Sequence, residues 1–114
     1  MIIDSHCHLL HSKSEKKIPD IISDAKLNDV QVLLNISTHP KEFDEIIDVS
    51  NKHENIYSSI GIHPHSASLI NDKTCEIMSR LVKNPKVVGV GETGLDFYYN
   101  NSGRKDQLKN LEKH

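Results

Sequence analysis

Four short apolar segments, Met1 to Ile3, Val30 to Ile36, Ile56 to Ile62 and Val87 to Val90, punctuate the chain at similar intervals. The stretches between them carry apolar residues at helical rather than strand spacing. Strands alternating with helices on this repeat predict βαβαβαβ, a parallel sheet joined by right-handed crossovers. In the first connection Ile18, Ile21, Ile22 and Ala25 form one stripe, with Pro19 suited to an early helical position. In the second, Phe43, Ile46, Ile47 and Ser50 line a face after Pro40. The third places Cys75, Met78 and Val82 behind the capping candidates Asn71 and Asp72, and Asn84-Pro85 closes it. A fourth helix, from about Arg104, offers Leu108 and Leu111 as its apolar face.

Two architectures accommodate this alternation, an open doubly wound sheet and a barrel. The glycine-rich phosphate loop of dinucleotide folds is missing after the first strand, where the chain reads Ser5-His6-Cys7-His8. Residues two apart on a strand point to the same side, so His6 and His8 present two nitrogen ligands in one direction while Cys7 faces away. Glu92, directly after the fourth segment, is costly to bury without a partner, and a divalent cation shared with the two imidazoles is a sufficient one. The alternative for Glu92 is an ordinary loop acid. His63 and His65 follow the third segment and could contact a substrate phosphate or a metal-bound water, with Pro64 shaping a turn. Asp96 is read as fixing the Glu92 loop or capping a turn, and His11, His39, His53 and His114 as surface residues. Gly89 and Gly91 would face the helices and allow one to approach the sheet closely.

Ligands gathered at the carboxyl ends of several strands favour a (β/α)8 barrel, which builds its sites on that rim. Eight units need roughly 250 residues, and the 114 residues present supply four.

Composition narrows the function class. A net charge of −2 argues against bulk binding of nucleic acid through a basic surface, so a bound cation would have to supply the positive field. Lys13, Lys16 and Lys17 could add weak contacts to a phosphate backbone or form a solvated loop. Two cysteines do not make a disulfide framework, no stretch reaches the length of a membrane span, and the expected location is cytoplasmic.

The segments Met1-Ile2-Ile3-Asp4-Ser5-His6-Cys7-His8-Leu9, Gly61-Ile62-His63-Pro64-His65 and Gly91-Glu92-Thr93-Gly94-Leu95-Asp96-Phe97-Tyr98-Tyr99 resemble the N-terminal signatures of the TatD family of metal-dependent deoxyribonucleases. The resemblance implies the N-terminal half of a TIM barrel, residues 1–114 being a partial domain truncated before the fifth strand. It further implies hydrolysis of phosphodiester bonds in DNA with divalent ions (Mg, Mn or Zn), up to two in a complete barrel. Glu92 matches the bridging glutamate, and His6 and His8 match histidines that hold one ion. Two cations can lower the pKa of a bound water and stabilise charge on entering and leaving oxygens. The family's later ligands, two histidines and an aspartate, have no match here, so no catalytic residue is assigned. Asp29 stands where the family usually has glycine, and aspartate tolerates the left-handed conformation required there.

Two readings follow. In one, the chain is half of a TatD-type nuclease, inactive or incomplete alone and completed by a separate C-terminal half or by self-association. In the other, it is a non-catalytic fragment from a disrupted gene with at most a weak metal site. A phosphoesterase or amidohydrolase that also starts from His-x-His is disfavoured by the Gly91 to Tyr99 segment.

Overall fold

The computed structural model describes residues 1–11 and 16–114, and Lys13 lies outside them. Strand β1 (Ile2–Cys7) leads through a 3-10 turn (Leu9–His11) toward helix α1 (Ile18–Leu27). Strand β2 (Val30–Ile36), a second 3-10 turn (Pro40–Glu42) and helix α2 (Phe43–Lys52) follow. The third unit is β3 (Ile56–Ile60), a 3-10 segment (Pro64–Leu69) and α3 (Asp72–Leu81), and the fourth is β4 (Val87–Val90) with α4 (Arg104–Lys113). The strands pair in parallel in the order β1-β2-β3-β4. These are four βα units of the kind that form the N-terminal half of a (β/α)8 barrel.

Local chemistry explains the boundaries. Pro19 sits in the first turn of α1, where a missing N–H costs nothing. Asn71 caps α3 by accepting from the Thr74 N–H at 3.0 Å, and the Thr74 hydroxyl accepts from the Asn71 N–H at 2.9 Å, a reciprocal capping box. Asp29 has φ 62° between α1 and β2, the left-handed conformation expected there. Lys17 immediately precedes α1, and Lys16 is engaged at 2.5 Å by Asp24. β1 runs past the apolar segment to Cys7: its pairing with β2 holds at Asp4 and, after an irregularity over Ser5 and His6, resumes at Cys7 opposite Asn35.

The core lies between the sheet and its helices in two clusters. One joins Phe43, Ile46, Ile60, Ile62, Ile70 and Met78, and the other Leu9, Ile22, Leu33, Val49 and Ile56. On β4 the alternation is plain, with Val88 and Val90 at 59% and 52% exposed on the side opposite the helices. What approaches Gly89 is the side chain of Ser59 rather than a helix, since the space beside it is taken by the neighbouring strand.

Helix α4 departs from the sequence reading. Leu108 and Leu111 are 44% and 40% exposed, whereas Gln107 and Asn110 are fully buried. The two amides are drawn inward by backbone groups that need partners. Gln107 Oε1 accepts from the Asp96 N–H at 2.7 Å, and its Nε2 donates to the carbonyls of Asp96 and Ser102, each at 2.9 Å. Asn110 Nδ2 donates to the Ile62 carbonyl at 2.8 Å. His114 is likewise no surface residue: its Nε2 accepts from the Ile62 N–H at 2.9 Å while Nδ1 faces the Asn110 carbonyl at 2.7 Å. Among the described residues no helix is long and apolar enough to cross a membrane.

Candidate metal centre

The carboxyl rim of the sheet is tied together by short polar contacts before any functional side chain is considered. The Ser37 hydroxyl donates to the Gly61 carbonyl and accepts from the Gly61 N–H, both at 2.8 Å. Gly91 N–H donates to Ile60 O and Glu92 N–H to Ser37 O, each at 3.0 Å. Gly61 admits this arrangement because a Cβ there would lie 2.4 Å from the carbonyl carbon of Gly91. Three successive strands thereby fix where Glu92 emerges.

His6, His8 and Glu92 meet above that rim. His6 Nε2 and His8 Nε2 are 3.2 Å apart, and each faces Glu92 Oε2, at 3.4 and 3.6 Å. Two ligands about 2.1 Å from one ion and 90–110° apart are separated by about 3.0–3.4 Å. The donor set of two imidazoles and a carboxylate therefore fits a divalent cation in both chemistry and spacing. His8 Nδ1 lies 3.1 Å from the Ile36 carbonyl, which can only accept. The ring proton is thus on Nδ1 and the Nε2 lone pair points at the centre. Cys7 faces away, its thiol donating to the Leu34 carbonyl at 3.3 Å, and burial, aided by the Asp4 charge, pushes it up to about 12.

His63 and His65 reach the same rim in different roles. His63 Nδ1 accepts from the His65 N–H at 3.1 Å, and its Nε2 lies 3.7 Å from Glu92 Oε1. Burial holds the imidazole below the ordinary histidine range, with His65 and His8 acting in the same direction and Glu92 and Asp96 opposing. A neutral His63 with Nδ1 committed as acceptor carries its proton on Nε2, which makes it a hydrogen-bond donor toward the centre. His65 Nε2 donates to Asp96 Oδ2 at 2.5 Å, leaving Nδ1 as the nitrogen that can face a ligand. The hydrogen bond from His65, followed by those from the Tyr99 and Tyr98 amides, holds the Asp96 carboxyl below the usual aspartate value. Pro64 opens a 3-10 segment running to Leu69 that is kinked at Ser66 (φ −108°, ψ 16°).

One pair on this rim carries no signature in the sequence. His11 Nε2 donates to Glu42 Oε1 at 2.7 Å, and Glu42 Oε2 accepts from the Thr38 N–H at 2.9 Å. Burial pushes the Glu42 carboxyl up, but the Thr38 amide and the bonds from His11 and the Thr38 hydroxyl outweigh it and hold it low. His8, His11, Thr38, His63, His65 and Ser66 line a cleft of about 300 Å³ beside the three ligand candidates. His11 is thus a surface histidine, its side chain 51% exposed, that also lines the cleft. The available signal is the rule that every strand's carboxyl end feeds the rim, which includes the Ser37 to Glu42 segment after β2.

Comparison with known proteins agrees with this architecture. The chain is 38% identical over 111 residues to an uncharacterized metal-dependent hydrolase of Buchnera aphidicola subsp. Baizongia pistaciae, a match covering 93% of this chain and 41% of that protein. It is 29% identical over 106 residues to the 3'-5' ssDNA/RNA exonuclease TatD of Cronobacter turicensis, covering 93% of this chain and 40% of the other. The chain thus spans about two-fifths of the length of these relatives. Its fold is shared with the crystal structure of YJJV, a TatD homologue of Escherichia coli K12, at a TM-score of 0.87 and 23% identity, over 97% of this chain and 44% of that one. The sequence model described as TatD related DNase matches residues 3–114, and the chain belongs to that family of metal-dependent hydrolases and nucleases.

Proposed function

We propose that the chain forms the N-terminal part of a phosphodiesterase site acting on DNA, in which His6, His8 and Glu92 hold a divalent cation and His63 and His65 contact the substrate. One observation carries this reading: three donor atoms suited to a cation lie 3.2–3.6 Å from one another at the carboxyl rim of a parallel sheet. Bound cations (Mg, Mn or Zn, with up to two in a complete barrel) supply Lewis-acid stabilisation of charge on phosphate oxygens. The chain's own residues set the geometry around them. The Ile36 carbonyl fixes the His8 tautomer, and Glu92 turns one oxygen to the His6–His8 pair and the other to His63. The Nε2 proton of His63 is placed to donate to an anionic oxygen of the substrate. Asp96 accepts from His65 Nε2 and so orients that ring beside the substrate, with Nδ1 left as an acceptor. A relative named as a single-strand DNA and RNA exonuclease makes unpaired strands the substrate of first choice. Cys7 and Cys75 are both free thiols, in keeping with a reducing, cytoplasmic setting.

The four units by themselves bind the cation without turning DNA over. Val88 and Val90 are more than half exposed on β4, an apolar inner face that further βα units would cover. A separate C-terminal half or a second copy of the chain is the complement proposed to cover them and to add the later ligands.

Calorimetric titration of the chain with Mn²⁺ tests the reading. It predicts saturable binding of one ion per chain, abolished in Glu92→Ala and weakened in His8→Ala, with no DNA cleavage by the chain alone. Absence of binding, or binding indifferent to Glu92, would remove it.

A further inference from the structure

The loop after β4 holds two tyrosines in solvent: Tyr98 is 85% exposed and Tyr99 67%. Large aromatic rings are ordinarily buried for most of their area, so two neighbours this open invite an explanation. Neither is loosely held. Asp96 Oδ1 accepts from the Tyr98 and Tyr99 N–H groups at 3.0 and 3.1 Å, and the other Asp96 oxygen accepts from His65. Gln107, buried beneath the loop, fixes both the N–H and the carbonyl of Asp96. The segment presenting the rings is thus pinned to the same histidine that faces the cleft.

The rings themselves form a continuous path. Tyr98 and Tyr99 meet edge to face with centroids 4.8 Å apart, Tyr99 meets His65 at 5.9 Å, and His65 meets His63 at 4.3 Å. His63 Nε2 in turn lies 3.7 Å from Glu92. An aromatic track therefore runs from the candidate cation centre to the surface. Phe97, the third aromatic of the loop, is 36% exposed with the Arg104 guanidinium 4.2 Å from its ring, and is the least open of the three.

We propose that Tyr98 and Tyr99 form a stacking subsite for unpaired nucleobases, gripping a single strand next to the phosphodiester presented at the metal centre. The proposal rests on the nuclease reading and adds to it the residues that hold the base. Stacking on tyrosine needs no positive charge, which suits a chain of net charge −2. It also selects by strandedness, because bases inside a duplex already have both faces covered by their neighbours. A single strand or a frayed end offers the faces that the two rings can meet.

The test uses the full chain in EDTA, so that base stacking is read apart from any contact between a bound cation and the phosphates. The probes are a short labelled oligothymidylate and an abasic strand of the same length and label. Fluorescence anisotropy is expected to show the thymidylate strand bound about tenfold more tightly than the abasic one. That preference disappears in the double variant Tyr98→Ala/Tyr99→Ala and survives in Tyr98→Phe/Tyr99→Phe. The chain has three tyrosines and no tryptophan, so intrinsic emission gives a second readout. Thymidylate quenches it in the wild type, and not in the alanine variant, where Tyr57 alone emits. Equal binding of the two strands, binding of neither, or a base preference that survives both alanine substitutions overturns the subsite. The nuclease reading fails on a different result, loss of Glu92-dependent Mn²⁺ binding, which the tyrosine variants leave unchanged.

Discussion

Gly61 and Gly91 touch so closely that no side chain fits between them: a Cβ on Gly61 would lie 2.4 to 2.6 Å from the carbonyl carbon, Cα and oxygen of Gly91. The contact matters because Gly91 is the residue from which Glu92 projects. Gly61→Ala is therefore expected to push the Gly91–Glu92 segment outward, at a cost of about 1–3 kcal/mol typical of overpacking. Urea denaturation should show the loss, and Mn²⁺ affinity should fall in the same variant although no ligand has changed.

Gln107 is the buried clamp of the loop after β4, meeting three backbone groups at 2.7 to 2.9 Å. Gln107→Leu keeps roughly the same volume but orphans those groups, each worth about 1–3 kcal/mol when left unsatisfied. We expect a lower urea midpoint together with increased amide exchange at Asp96. Leu108→Gln, on the exposed side of the same helix, should change stability little.

The Asp96 carboxyl is held below the usual aspartate range, chiefly by the hydrogen bond from His65. A depressed folded-state pKa means that the unfolded chain takes up the proton first as pH falls. The contribution is therefore fully present above the unfolded aspartate value of about 3.9 and is lost below it, as pH drops through the folded value. Thermal melts of the wild type between pH 6 and 3 should show this acid loss, and Asp96→Asn should flatten it. An unchanged pH profile in the variant would contradict the assignment.

Cys7 separates the two sides of β1. With its thiol pushed up to about 12 and donating to Leu34 O, roughly one molecule in ten thousand carries a thiolate there at pH 8. A disulfide reagent at that pH should leave Cys7 unmodified in the folded chain and label it on denaturation, as peptide mapping would report. Rapid labelling in the native state would mean that Cys7, and not the imidazoles beside it, faces solvent at the rim.

The parts of the molecule legible in the sequence are those set by local rules. Apolar runs alternating with helical stripes fix the four βα units, and period-two alternation places His6 and His8 on one side of β1 with Cys7 on the other. Glu92 was visible because it follows a strand directly. What escaped the pattern depends on partners distant in the chain. Gln107 and Asn110 are buried because the Asp96 and Ile62 backbones need them, whereas periodicity alone pointed to Leu108 and Leu111. His11 finds Glu42 across 31 residues, and His114 finds Ile62 across 52, separations over which spacing carries no signal.

The central claim is that His6, His8 and Glu92 converge on one cation. Anomalous diffraction from a crystal soaked in Zn²⁺ tests it directly. The account predicts a single strong peak on this chain about 2.0–2.2 Å from His6 Nε2, His8 Nε2 and a Glu92 carboxylate oxygen. A fully loaded crystal whose zinc peaks lie away from these three side chains, or in which they diverge from one another, would contradict it.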